Sequence, residues 1–516
     1  MFRRYPGGFI SSLVRFQFPR LLYTLVAFEV KNLLFNSYIF VLLFLPLAFV
    51  GYFLINKRSL TFGKIWLLGM SLWFYAYFNI KYLPILVISI CFNYTMSKII
   101  MRTNIYNRKK VLLIFAIIVN IGVLGYFKYY NFFIENINTA FHVSFTFHHM
   151  ILPLAISFFT FQHLSYIIDS FKGETPDYAL LDFAAYMAFF PQLVSGPIVR
   201  HDEMIPQLTD ISRKRVNYNN LSKGIMAFSF GLAKKVLLAD TFAGAVNWGF
   251  GNIASLDTTN ALLILLFYTF QIYFDFSGYC DMATGIGLVF NIELPMNFNS
   301  PYRALTITDF WKRWHITLTR FFTRYVYIPM GGSRKGTVRT YLNILIVFLI
   351  SGLWHGANWT FILWGGMHGA FSLITRLLRK WIDKLHPVLN WLITFGFVNF
   401  ARIYFRADSI GVANLMLSNI LKFNFGSINA DIASAFYLTE FEAISTVFGI
   451  GILSNPILYL LLFSIFSLFA VVFMKNTNER LDSHKPTMRS AIISIVLLVW
   501  CILSFSGVST FVYLDF

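Results

Sequence analysis

The sequence predicts an all-α, polytopic membrane protein, and three observations lead there. Hydrophobic residues fill 57% of the 516 positions and aromatic ones 19%, while charged residues fill only 13%, far from the balance of a soluble domain. Apolar residues gather into runs long enough to cross a bilayer, for which about 20 residues suffice. The bases behind the formal net charge of +19 sit in short segments between those runs, where cytoplasmic loops carry them. That placement argues against a nucleic-acid partner. Cys91, Cys280 and Cys501 lie far apart in apolar segments without a CxxC pair, so neither a disulfide framework nor a thiolate metal site is indicated.

In chain order, apolar runs lie near 33–55, 60–78, 80–100, 111–128, 151–169, 222–250, 260–290, 387–405, 456–474 and 489–507. With the charge-free stretch Thr340–Thr375 read as a split pair, they make about twelve spans. Basic groups set the orientation. Lys57/Arg58/Lys64, Lys98/Arg102/Arg108/Lys109/Lys110, Arg200/Arg213/Lys214/Arg215, the dense group from Arg303 to Arg339, Arg376/Arg379/Lys380/Lys384 and Lys475/Arg480/Lys485/Arg489 belong on the cytoplasmic side. Segments 142–150, 251–259 and 407–455 are poor in Lys and Arg and face outward. The alternation closes only if segment 179–195 enters and leaves on one side, and Pro191, Gly196 and Pro197 favour such a re-entrant path.

The organisation is a basic leader, 1–32, followed by a single transmembrane domain, 33–516. Arg3, Arg4, Arg15, Arg20 and Lys31 precede a span whose N-terminus the alternation puts outside. Residues 21–30 are too short to cross, and no cleavage site follows a signal-like core. The leader reads either as an interfacial segment or as a start-site artefact with translation beginning near Asn32, the second being favoured. No internal repeat is present, which removes the usual pointer to a paired-repeat transporter.

The stretch Thr340–Thr375 holds 36 residues without a charge, and His355 stands close to its midpoint between Trp354 and Gly356. An ionisable group at membrane depth is by default a functional-site candidate. Two full spans and a turn need more than this length, and Gly352, Gly356, Ala357 and Asn358 loosen the chain around the histidine. The helix ends are therefore expected to stop short of the outer surface, with His355 facing an internal cavity.

The block Asn291–Arg339 carries the other signals. Thr306 and Asp309 form a capping-box pattern that starts a helix at about Ile307. Trp311, Trp314, Leu318, Phe321, Phe322 and Tyr325 then share one face and Arg313, Arg320 and Arg324 the other, as in an amphipathic helix at the cytoplasmic interface. His315 falls at the edge of the apolar face. In the glycine-rich "MGGSRKG", Arg334 and Lys335 with the loop amides suit phosphate oxygens or plain anchoring to lipid headgroups. His163 and His368 read first as packed, satisfied histidines. Asp275, Asp281 and Glu293 are expected to pair with bases of this neighbouring block. No HxxxH, HExxH or GxSxG pattern occurs, and His148/His149 lie in an outward loop, so neither a zinc site nor a serine hydrolase elbow is supported.

Taken together, "YFDFSGYCDMATGIGL", "MNFNSPYRALTITDFWKRWHITLT", "YIPMGGSRKGTVRTYLN" and "SGLWHGANWTFILWGGMHG", preceded by "SFFTFQHLSYIID" and "FFPQLVSGPIVR", resemble the bacterial branch of the membrane-bound O-acyltransferases, above all those that acetylate polysaccharides such as alginate. The resemblance runs from about Leu33 through the last spans. It implies a bundle of about twelve helices, with re-entrant and amphipathic helices, around a central tunnel in the plasma (inner) membrane. It implies His355 as the catalytic histidine and His315 as the second polar position. With no bound cofactor, acetyl-CoA would be the cytoplasmic donor, a surface polysaccharide the acceptor, and an extracytoplasmic SGNH-type acetyltransferase the partner. Chemistry fits this assignment, because imidazole has the pKa of a base that takes a hydroxyl proton during attack on a thioester. Trp354, Asn358 or amides around Gly356 are candidate donors to the tetrahedral oxygen. Arg334 and Lys335, with Trp311 and Trp314, are the remaining substrate-binding candidates. Two other readings stay open: D-alanyl transfer to teichoic acid, and transport without chemistry.

Overall fold

Helix starts fall where a side chain can accept from a bare backbone amide. Ser59 accepts from Phe62, Asp257 from Asn260, Thr306 from Asp309, Ser409 from Val412, Asn455 from Ile457 and Thr487 from Ser490. Each such cap satisfies one orphaned donor of a first turn and contributes about 1 kcal/mol. The computed structural model describes residues 33–148, 152–438 and 455–505, and all regular structure within them is helical. The leader 1–32 and His149 lie outside the described residues.

The first helices are α1 (Leu45–Asn56), α2 (Leu60–Phe78), α3 (Leu83–Arg102) and α4 (Tyr106–Leu124), which runs through a π-helical turn, Gly125–Tyr129, into α5 (Tyr130–Phe141). After α6 (Ile156–Lys172), the expected re-entrant segment forms two short helices, α7 (Leu180–Ala188) and α8 (Phe190–Leu193), broken at Phe189. It is buried almost throughout, from Phe183 to Val199. α9 (His201–Thr209) leads to α10 (Tyr218–Ala233), a second π-helical turn (Lys234–Ala239), α11 (Asp240–Gly251) and the long α12 (Thr258–Val289). The remainder comprises α13 (Ile307–Arg313), α14 (Ile316–Phe322), α15 (Thr337–His355), α16 (Trp359–Leu377), α17 (Pro387–Arg406), α18 (Ile410–Leu421), α19 (Pro456–Phe473), α20 (Thr477–Asp482) and α21 (Met488–Leu503).

Among the described residues, six helices are long and apolar enough to cross a membrane, fewer than the apolar runs read from the sequence. The difference has local causes. The run 222–250 is interrupted by the π turn at Lys234 and Lys235, and α6 carries His163 and Asp169 in the interior. Outward faces are apolar instead of polar: Leu54, Phe62, Ile88, Ile118, Ile465 and Val496 are all exposed, as lipid-facing residues are.

α12 is the post of the bundle. In its most apolar window 83% of residues are buried, against 17% for the more apolar Tyr106–Phe141, and its acids Asp275 and Asp281 find partners inside the bundle. Gly224 and Gly231 of α10 meet Gly285 and Gly278 of α12, so that a Cβ on Gly231 or Gly278 would lie 2.6 or 2.8 Å from the other's carbonyl oxygen. Small residues that let backbones touch are the usual seam between membrane helices. Beside that seam Lys235 Nζ lies 2.7 Å from Asp275 and 2.8 Å from Asp240, and Lys234 lies 2.5 Å from Asp281. The acids of α12 are thus paired as expected, but with bases of the π turn instead of the Arg303–Arg339 block. Glu293 likewise pairs with Arg213, at 3.6 Å.

The seam gives a direct test. Gly278→Ala forces a methyl group against backbone and should cost about 2 kcal/mol or more, seen as a lower melting temperature in detergent. Gly69→Ala, where nothing lies within 4 Å, should leave stability unchanged or raise it by up to about 1 kcal/mol.

Candidate active site

α15 ends at His355, α16 begins at Trp359, and the two pack as a tight hairpin. A Cβ on Gly352 would lie 2.3 Å from the Phe361 carbonyl oxygen, and one on Gly356 would lie 2.1 Å from the Phe361 ring. α15 and α16 draw in flanking residues on both sides, reach 19 residues each and are about 28 Å long. The hairpin turn is nonetheless buried, with His355 only 3% exposed.

The carbonyl end of α15 then needs donors where water is scarce. They come from the π turn between α4 and α5. Lys128 Nζ donates to the carbonyls of Trp354 (2.6 Å) and His355 (3.2 Å), and Tyr129 donates its hydroxyl proton to that of Leu353 (2.9 Å). A cation at a helix C-terminus also suits the helix dipole. Lys128 is further anchored 3.3 Å from Ser157 Oγ and stands over the Trp354 ring at 5.8 Å. The His355 ring meets Trp354, Trp364 and Phe405 edge to face, with centroids 4.9, 5.2 and 5.2 Å apart.

His315 was expected on the edge of one continuous amphipathic helix. The helix starts at Ile307 as predicted but breaks at Trp314, and His315 takes a left-handed conformation (φ 47°, ψ 52°) before α14. A non-glycine residue there is uncommon and must be held by its surroundings. Asn297 holds it. Its carbonyl accepts from the Ile316 amide (3.0 Å), and its Oδ1 accepts from the Thr317 amide (3.2 Å), the Thr317 hydroxyl (3.0 Å) and His315 Nδ1 (3.1 Å). An amide N–H can only donate, so the Asn297 atom is its oxygen. His315 therefore carries its proton on Nδ1 and presents Nε2 as an acceptor. His315 is fully buried, more than a position at the edge of the apolar face requires, 4.8 Å from Phe276 and 6.5 Å from His355 between ring centroids.

The structure therefore brings His315, His355 and Trp354 into one layer. Trp354 Nε1 is buried with no acceptor among the described residues, and so is Trp311 Nε1. Asn358 is already committed, since its Oδ1 caps α16 through Thr360 (3.0 Å) and its Nδ2 donates to the Asp408 carbonyl (2.9 Å). One Nδ2 proton is left over from these bonds, so Asn358 is fixed in place with a donor to spare. Trp311 lies one ring further out, against Trp364 and His368, and Trp314 stacks on Phe310 under the Arg402 guanidinium, 4.7 Å away. A cavity of about 20 Å³ lies among these rings, room for about one water. Arg334 and Lys335 are exposed near the start of α15, roughly 27 Å along the helix from His355. They do not join the layer. They are nonetheless uncompensated: Arg313 pairs with Asp309, Arg320 with Glu203 and Arg324 with Glu174, whereas neither Arg334 nor Lys335 has an ion-pair partner among the described residues. His163 lies elsewhere, between Phe159 and Phe183.

Residues 170–416 match the family model for MBOAT, the membrane-bound O-acyltransferase family. The chain is 45% identical over 423 residues to the peptidoglycan O-acetyltransferase of Helicobacter pylori, covering 76% of this chain and 80% of that protein. This chain belongs to the membrane-bound O-acyltransferase family. It is also 39% identical over 400 residues to the probable alginate O-acetylase of Pseudomonas aeruginosa (76% and 75% covered). It is 28% identical over 272 residues to the teichoic acid D-alanyltransferase of Bacillus subtilis (49% and 68% covered).

For an O-acyltransferase the layer supplies two imidazoles, a buried indole donor and a fixed helix end. Lys128 and Asn297 are the residues that sequence reading passed over. Lys128 closed an apolar run and was counted as its boundary, although a lysine followed by further apolar residues within one helix is itself an intramembrane charge. Asn297 had no signal apart from its neighbourhood to His315. As a positioning residue, Lys128 yields a prediction. Lys128→Met should leave the protein folded and monodisperse but lower acyl transfer about 100-fold, since small misplacements of a reacting group cost that much. Lys128→Arg, which can still donate to two carbonyls, should recover most of the activity, measured as ester formed per mole of protein.

Proposed function

We propose that this O-acyltransferase takes acetyl from acetyl-CoA at the cytoplasmic face of the plasma (inner) membrane and delivers it for O-acetylation of an extracytoplasmic glycan. The observation that carries the proposal is His355, an intramembrane histidine at a helix end held by Lys128 with the unpartnered Trp354 indole beside it. Peptidoglycan is the acceptor we favour, because the relative named for it shares 45% identity. The alginate relative supports the same chemistry on another glycan. D-alanyl transfer is less favoured, resting on 28% identity over half of the chain.

In this reading His355 acts as general base. It takes the acceptor hydroxyl proton as the oxygen attacks the thioester carbonyl. The tetrahedral oxygen receives a hydrogen bond from Trp354 Nε1, then the C–S bond breaks and the imidazolium returns its proton to the leaving thiolate. His315, its Nε2 an acceptor, orients the donor. Arg334 and Lys335 fit the donor's phosphates as it approaches from the basic-loop side. The hydroxyl that attacks here is the serine of an extracytoplasmic SGNH-type transferase, which then passes the acetyl group to a glycan hydroxyl.

Mild alkali applied to envelope glycans tests the reading. Acetate should be released from cells expressing the wild type and fall to the background of cells lacking the protein for His355→Ala. D-alanine in place of acetate would support the teichoic acid reading, and an ester level indifferent to His355 would leave only a transporter.

A further inference from the structure

A cleft of about 520 Å³ opens on the far side of α12 from the histidines, between α10, α12, α19 and α21. Leu237, Phe274, Leu462, Phe463, Phe466 and Trp500 line most of it. The size falls within the usual range of small-molecule pockets. One end differs in chemistry: Lys234, Lys475 and Arg480 stand there with Ser300, Asn476 and Thr477. Lys234 is neutralised by Asp281 at 2.5 Å, and nearby Glu479 lies 3.8 Å from Arg303. Lys475 and Arg480 have no carboxylate partner among the described residues. Arg480 is nevertheless held in place, by its Nε–H donated to the Lys475 carbonyl (3.1 Å) and by its guanidinium over Phe230 (5.0 Å).

A held Arg480 and an exposed Lys475, both uncompensated among the described residues, stand at the polar end of an apolar cleft and complement a molecule with an anionic head and hydrocarbon tails. A transmembrane helix would cover the apolar wall and leave the cations unmatched. We infer that the cleft binds an anionic glycerophospholipid of the leaflet on the basic-loop side, its phosphate at Lys475 and Arg480 and its acyl chains along Leu462, Phe466 and Trp500. This assignment is independent of the catalytic reading, since none of these residues belongs to the histidine layer.

The test uses the full-length protein in detergent, titrated with phosphatidylglycerol or phosphatidylcholine of identical acyl chains, with bound lipid counted by native mass spectrometry. Phosphatidylglycerol should bind more tightly. Each cation near the headgroup plane is worth about fivefold in affinity. Lys475→Gln, a change at an exposed site that fold stability does not depend on, should therefore weaken phosphatidylglycerol about fivefold. The double variant Lys475→Gln/Arg480→Gln should weaken it about 25-fold and leave phosphatidylcholine unchanged. Ala470→Trp, which fills the cleft, should abolish both. Equal binding of the two lipids, phosphatidylglycerol binding indifferent to Lys475, or a bound polypeptide in place of lipid would overturn the assignment.

Discussion

The carbonyl end of α15 is the constraint on which the rest of the site depends. A helix that stops inside an apolar bundle leaves its last carbonyls without partners, and no water is at hand to satisfy them. Lys128 and Tyr129 meet that demand from one π-helical turn. The turn matters geometrically, because its extra residue per turn redirects two successive side chains toward a neighbouring helix end, and such bulges recur at functional sites. Gly356 answers the same constraint on the other side, where the Phe361 ring occupies the space a side chain would need. His355 is therefore held from both directions by groups whose first task is to make the break tolerable.

The second break follows the same logic with different means. Where α13 gives way to α14, the segment around Asn297 runs alongside and supplies acceptors to the freed amides of Ile316 and Thr317, while the Asn299 amide donates to the Arg313 carbonyl at 2.9 Å. The second break rests on α12, whose Phe276 touches the His315 ring and whose other faces are fixed by the glycine seam and the lysine–aspartate pairs. The two breaks bring their histidines to 6.5 Å between ring centroids.

Much of this was legible in the sequence. Composition and run length announced the helical membrane class, Thr306 marked the start of α13, and the isolated position of His355 in an uncharged stretch singled it out before any coordinates. What stayed hidden was non-local. Asn358 has the composition of an oxyanion donor, yet its hydrogen bonds go to Thr360 and Asp408, a use that depends on where the chain returns 50 residues later. Helical periodicity extended one amphipathic helix through His315, since periodicity carries no information about a competing acceptor such as Asn297. Run length gives about twelve spans where six of the described helices are long and apolar enough to cross, because hydrophobicity is shared by residues that face lipid and by those that face α12.

One consequence concerns protons. Two buried imidazoles in a membrane protein invite a proton wire, in which each ring accepts on one nitrogen and releases from the other. His315 is barred from that role at one end: its Nδ1–H points at Asn297 Oδ1, an atom that also takes both donors of Thr317 and has no proton to pass on. A proton that arrives at Nε2 must leave by the way it came. His315 is thus a one-ended site: a proton taken up at Nε2 is not relayed onward through Nδ1.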